Sequence, residues 1–180
     1  VTGINAIIYY APTLLLQQGI ASKDIALFTS LGIGIVNFIM TIFAIYFIDK
    51  LGRKPLLVYG SIGMILGLIL SLWGFYEIGT LLYIASFATS LGPVVWVYLS
   101  EIYPEKYRGG LLTVATFFNF FFNAVIAFST LNIIEQIGVN GLYGIFIFFL
   151  ILGIFFTLRY LPETQGKSLD EIEHMFKKKT

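Results

Sequence analysis

Charge is what this sequence has least of. Asp, Glu, Lys and Arg make up only 12% of its 180 residues against 58% hydrophobic ones, and the mean hydropathy is +0.88. An ordinary water-soluble domain is about one quarter charged, so this composition excludes one and places the chain in a bilayer. Cysteine is absent, which removes disulfides, thiolate metal sites and cysteine nucleophiles together. The single histidine, His174, sits in a charged tail. An intramembrane catalyst needs a His, a Cys, a Ser–Lys pair or a carboxylate pair within its spans; none is evident, and an enzyme is not expected. A net charge of +1 offers no basic field, and no Lys/Arg cluster is interleaved with stacking aromatics, so nucleic acid is excluded as a partner. No cofactor or metal is expected. The N-terminus lacks the basic region and cleavage site of a signal peptide, and its abrupt start on apolar residues reads as a fragment of a longer chain.

What the chain does have is long apolar runs. Between the charges lie six of them: Val1–Gly19, Ile25–Ile48, Pro55–Phe75, Thr80–Ser100, Leu111–Ile134 and Gly141–Leu161. Each is about long enough to cross ~30 Å of hydrocarbon at ~1.5 Å per residue. Backbone groups in lipid must bond internally, and these runs lack the alternation of barrel strands, so they predict helices. The expected fold is all-α: a bundle of six transmembrane helices over residues 1–161, followed by a tail over 162–180. Lys50, Arg53, Lys54, Lys106, Arg108, Arg159 and the tail lysines all fall on one side, which the positive-inside rule makes cytoplasmic. Ser168 ahead of Asp170 and Glu171, with Leu169, Ile172, Met175 and Phe176, predicts a short amphipathic helix in that tail. Gly32, Gly34, Gly60, Gly63 and Gly67 are read as close helix packing.

Side chains that need hydrogen bonds are costly in hydrocarbon, so those inside a span turn towards the bundle interior or a water-filled cavity. Asn5, Asn37, Asn119 and Asn123 are of this kind, and the i, i+4 spacing of Asn119 and Asn123 puts both on one helix face. Carboxamides donate and accept without being ionised, which matches an uncharged, hydroxyl-rich ligand. Trp96 adds a flat apolar face with one N–H, a platform for the C–H face of a sugar ring. The bland reading of each Asn is a hydrogen bond between helices, worth on the order of 1 kcal/mol. Gly92-Pro93 before Trp96 and Pro12 after Tyr9-Tyr10 are expected to interrupt their helices beside these polar groups.

Several short motifs then occur in order: Thr2-Gly3-Ile4-Asn5 leading to Tyr9-Tyr10, Asp49-x-x-Gly52-Arg53-Lys54, Gly92-Pro93-Val94-Val95-Trp96, Glu101 to Arg108, and Pro162-Glu163-Thr164-Gln165-Gly166. In these the chain resembles the sugar porter family of the major facilitator superfamily, over nearly its whole length. The resemblance implies the C-terminal six-helix half of that fold, helices seven to twelve, with the first truncated. Asn5, Asn37, Trp96, Asn119 and Asn123 would line the substrate site, and Tyr9 and Tyr10 would belong to an outer gate. Asp49, Arg53, Glu101, Arg108 and Glu163 would form a cytoplasmic charge network that holds the inner mouth closed. Departures are Gln165 for the tail lysine, Lys54 for the second arginine, Phe120 for the usual aromatic between the asparagines, and Ala88 where some members carry Glu.

The expected function is transport of a hexose or pentose by alternating access, as facilitator or proton symporter, in a multi-pass protein of the cell membrane with its C-terminus inside. Its partners would be the sugar, the bilayer and the missing N-terminal half, which would also carry any proton-coupling carboxylate. A carrier of polyol, inositol or another neutral metabolite on the same fold is the alternative cargo. A half-length homodimeric membrane protein is the alternative architecture.

Overall fold

The computed structural model describes residues 2–8, 10, 23–169, 171–172 and 175. Every regular element among them is a helix: α1 over 4–8, α2 Lys23–Leu51, α3 Arg53–Leu72, α4 Tyr76–Thr89, α5 Leu91–Ile102 and α6 Arg108–Tyr160. Four stretches are long and apolar enough to cross a membrane: Leu31–Leu51, Arg53–Leu72, Tyr76–Ile102 and Arg108–Tyr160. Most of the first expected span, with Tyr9 and Pro12, lies outside the described residues.

The ends of these helices follow from their residues. Gly52 takes φ 90°, which reverses the chain between α2 and α3, and Pro55 sits in the first turn of α3, where its missing N–H costs nothing. At the other end Gly74, φ 95°, closes a Schellman turn: the Phe75 N–H donates to Leu70 O and the Gly74 N–H to Ser71 O. The expected interruption near Gly92-Pro93 falls at Ser90, with φ −130° and ψ −93°. Proline cannot donate to the carbonyl four residues back and its ring crowds it, so the distortion appears upstream, between α4 and α5.

At 53 residues α6 would be ~80 Å long as one rod, far more than a bilayer needs. Gly138 breaks it, with φ 73° and ψ 173°. Arg108 shares a crevice with Ile102 at the end of α5, and Tyr98 and Glu101 of α5 bond Pro162 and Thr164 just beyond Tyr160. Both ends of α6 therefore meet the same end of α5, and the helix doubles back at Gly138 into two arms, the fifth and sixth expected spans.

The core joins α1, α3, α4 and the second arm of α6 through Ile4, Ile7, Met64, Leu68, Tyr83 and Phe146. The tightest seam is α3 on α4. A Cβ on Gly67 would lie 2.6 Å from the Gly79 carbonyl oxygen and 2.7 Å from the Tyr83 nitrogen, so the two backbones touch where glycine removes the side chains. Conversely α2 and the first arm of α6 expose Leu31, Phe38, Ile45, Phe117, Phe120 and Phe128. In water that surface would be an aggregation hazard, whereas in hydrocarbon it is the natural exterior.

Candidate functional site

Two polar assemblies stand out on this scaffold. The first lies between α5 and the first arm of α6. Trp96 follows Pro93 by one turn, and Asn119 and Asn123 share a face with Phe118 and Phe122; together they line a cavity of about 200 Å³. Trp96 is 39% exposed, so its ring is available to a ligand. The Asn123 side-chain N–H donates to the Asn119 main-chain carbonyl at 2.9 Å, which fixes that carboxamide and leaves its oxygen towards other donors. Among the described residues no protein group bonds the Asn119 carboxamide.

Asn5 and Asn37 do not line this cavity. Each is half-buried on its own helix, α1 and α2, and the Asn37 main-chain carbonyl accepts from the Thr41 hydroxyl at 2.7 Å. Tyr10 donates its hydroxyl to Ala127 O at 3.3 Å, tying α1 to the first arm of α6. Tyr9 lies outside the described residues.

The second assembly gathers at the end of the bundle where α2 stops, α3 starts and α5 and α6 finish. Arg53 donates from Nε at 3.0 Å and from Nη2 at 2.8 Å to one oxygen, Oε1, of Glu101. Its Nη1 serves Ile48 O at 3.0 Å and lies 3.5 Å from Asp49 Oδ1. The second Glu101 oxygen accepts from the hydroxyl of buried Thr164 at 2.6 Å. Arg53 is thus anchored by a carboxylate and a helix C-terminus together, in the way a lysine could not copy.

Glu163 acts differently from a salt-bridge partner. Gly52 offers α3 no side-chain cap, and Glu163 supplies one from the far end of the chain. Its carboxylate accepts from the backbone N–H of Arg53 at 3.0 Å and Lys54 at 2.9 Å, and from Thr164 and Gln165. Burial pushes this carboxyl up, but the four N–H donors outweigh it and hold its pKa below the ordinary glutamate value. A carboxylate at a helix N-terminus also satisfies the helix dipole. The reverse bonds tie the same elements: Lys54 Nζ donates to Leu158 O, Gln165 Nε2 to Asp49 O and Tyr98 OH to Pro162 O.

Asp49, Arg53, Glu101 and Glu163 are therefore brought together, and Arg108 is not. Its Nε reaches only Tyr103 O at 3.4 Å, because the turn at Pro104 carries Arg108 back towards its own loop; among the described residues it pairs with no carboxylate. It shares a small crevice with Glu101, Glu105 and the tail's Leu169. Sequence reasoning missed Thr164, Lys54, Gln165 and Tyr98 as members; the first three had membership of the motifs as their only signal, and Tyr98, between two motifs, had none. The tail helix begins with a reciprocal capping box, Ser168 N–H to Glu171 and Glu171 N–H to the Ser168 hydroxyl, and it buries Ile172.

Comparison with known proteins agrees with this architecture. The family model described as "Sugar (and other) transporter" matches residues 1–176. The chain is 38% identical over 97% of its length to a glucose facilitated diffusion protein of Zymomonas mobilis, and 35% identical over 99% to the D-xylose-proton symporter of Escherichia coli. It covers 40% and 39% of those proteins, so it spans about two fifths of the length of the curated relatives it matches. A solved structure of a double tryptophan mutant of XylE superposes with TM-score 0.87 at 34% identity, over 97% of this chain and 39% of that one. The proton:xylose symporter XylE bound to 6-bromo-6-deoxy-D-glucose superposes with TM-score 0.81 at 36% identity. On these grounds the chain belongs to the sugar porter family of the major facilitator superfamily, and it is an all-helical membrane protein.

Proposed function

We propose that this chain is the C-terminal six-helix half of a carrier that moves a hexose or pentose by alternating access. The observation that carries the reading is the cavity walled by Trp96, Asn119 and Asn123: an aromatic plate beside uncharged carboxamides, within otherwise apolar helices. Such a surface offers donors, acceptors and a stacking face but no charge, which suits a neutral sugar. Relatives named for glucose and xylose transport support the same cargo class. Asn5 and Asn37 complete the site when substrate and the other half close upon it. Sugar transport is not enzymatic, and any proton-coupling carboxylate belongs to the other half. A polyol or inositol carrier of the same fold differs only in cargo.

In this reading residues 1–161 form the bundle and 162–180 a cytoplasmic tail of a cell-membrane protein. The cluster of Arg53, Glu101 and Glu163 is the inner rim. Every bond described there lies within this half, so the bonds stiffen one lip of the inner mouth, and Arg108, which pairs with no carboxylate among the described residues, is a cation free to meet the opposite lip.

The test uses the full reading frame in membranes. Labelled glucose and xylose should bind and be displaced by each other more strongly than by inositol. Asn119→Leu and Trp96→Ala should each weaken binding by roughly 1–3 kcal/mol, the cost of unpaired polar groups or lost stacking. Isotherms unchanged by both substitutions would reject the cavity as the sugar site, and stronger displacement by inositol would select the alternative cargo.

A further inference from the structure

The largest fully buried side chain among the described residues belongs to neither polar assembly. Tyr83 of α4 stands in the apolar core, yet its hydroxyl donates to the main-chain carbonyl of Thr2. That carbonyl lies ahead of the ladder of α1, whose first bond runs from the Ile7 N–H to Gly3 O at 2.9 Å, so Tyr83 supplies the donor the helix does not. The hydroxyl is held from the firmest part of the bundle. A Cβ on Gly67 would lie 2.7 Å from the Tyr83 nitrogen, so α4 has no room to shift against α3 at this point. Gly3 is gripped from another side: with φ 78° it turns the chain into α1, and a Cβ there would lie 2.3 Å from Cζ of Phe146 on the second arm of α6. Two aromatic side chains from distant elements therefore seat the two residues ahead of α1.

We propose that Tyr83 is a positioning residue: through the Thr2 carbonyl its hydroxyl fixes the start of α1, and with it the place of Asn5 in the first turn of that helix. Asn5 lies outside the cavity of Trp96, Asn119 and Asn123, so its carboxamide reaches a ligand only where α1 carries it. The helix buries Ile4, Ala6 and Ile7 in the same core as Tyr83 and leaves Asn5 half-buried. A short helix pivots on its first residues, and the anchored carbonyl stands just ahead of Asn5. The anchor and the aromatic plate also share one span: α4 carries Tyr83, α5 carries Trp96, and the distortion at Ser90 lies between them. One span thus supports two parts of the site from either side of its break. Without the hydroxyl, the Thr2 carbonyl loses its donor in the seated geometry and other placements of α1 gain population. A sugar that needs Asn5 in its seat then binds in proportion to the fraction still seated.

This role rests on the reading of the chain as half of a sugar carrier, and the experiment separates the two. The full reading frame, cleared of other cysteines, carries Ile8→Cys as a reporter on α1 and is studied in membranes. Tyr83→Phe removes one oxygen and keeps the ring in the seam. A water-soluble maleimide should then modify the reporter several-fold faster, and the Kd for labelled glucose or xylose should rise about tenfold. In an Asn5→Ala background the same change should move the Kd by less than about twofold, because the carboxamide being placed is gone. A tyrosine that served stability alone would shift both backgrounds alike. Tyr143→Phe takes the same oxygen from the same core, where no bond to α1 is made among the described residues, and should change neither readout. Phe146→Leu loosens the seat from its other side and should act as Tyr83→Phe does, so the test stands where either variant fails to accumulate. Equal losses with and without Asn5, or both readouts within about twofold of the parent, overturn the role of Tyr83. Labelling needs no sugar: faster modification in a protein that binds no sugar rejects the cargo and keeps the seat, whereas sugar binding indifferent to Tyr83→Phe rejects the seat and keeps the cargo.

Discussion

Changing Glu101 to Gln removes one charge and no volume, and it strikes the point where α3, α5 and the tail meet. Arg53 and Glu101 are 13% and 19% exposed, so the pair is mostly out of water. Deleting one partner of a buried pair costs about 3–5 kcal/mol. Glutamine keeps a carbonyl oxygen for one Arg53 N–H, and residual solvent screens the orphaned charge, so roughly 2 kcal/mol is expected. At ~1.4 kcal/mol per factor of ten, local opening becomes about 30-fold easier. Amide hydrogen exchange reads this directly, because protection reports the opening free energy of each segment. Peptides covering residues 52–56 and 163–165 should exchange about 30-fold faster in the variant, while those covering the α3–α4 seam at 64–68 keep their protection. Arg53→Lys should do at least as much, since one ammonium nitrogen cannot replace the three guanidinium nitrogens that hold Glu101 and Ile48 O. Exchange within about twofold of the parent for both variants would refute the reasoning and reduce the cluster to exposed ion pairs of little worth.

Gly67→Ala puts a methyl against backbone atoms that cannot yield and should cost about 1–3 kcal/mol of stability, visible as a lower unfolding midpoint in detergent, whereas Gly144→Ala, in the helix with nothing near its Cβ, should leave the midpoint level or slightly raised. Glu163 has its pKa lowered, so its cap is complete above the ordinary glutamate range of about 4.3 and is lost only as pH falls through the lower value. NMR of the labelled Glu163 carboxyl, assigned with Glu163→Gln, should show no titration between neutrality and that range; a midpoint above it would contradict the geometry. In the full reading frame, Arg108→Ala should slow transport while equilibrium sugar binding changes little, and radiolabelled uptake beside binding isotherms separates the two.

The spans were legible because lipid demands long uncharged helices, and the charges between them marked their ends. The capped start of the tail helix was legible from Ser168 ahead of Asp170 and Glu171 and from the apolar residues among them, because a cap is local. The break in the fourth span was visible as Gly92-Pro93 but misplaced, because proline acts on the carbonyl a turn before it. Of the polar residues, the pairing of Asn119 and Asn123 followed from helix geometry within one element. Whether Asn5 and Asn37 join them depends on where separate helices cross, which spacing does not encode. The same limit applies to Glu163: its partners are backbone groups 109 and 110 residues away, and nothing in a P-E-T motif says that the carboxylate will cap a helix. For Arg108 too, proximity in a charged loop does not choose between a carboxylate and the nearest carbonyl, and within this chain it reaches Tyr103 O.

That cap imposes an order on how the protein is made. The first turn of α3 leaves the ribosome with Gly52 ahead of it and no side chain to bond its amides. Glu163 follows 110 residues later, and at ~5–20 residues per second synthesis reaches it only after roughly 5–20 s. Until then the first amides of α3 have no carboxylate of their own chain to donate to.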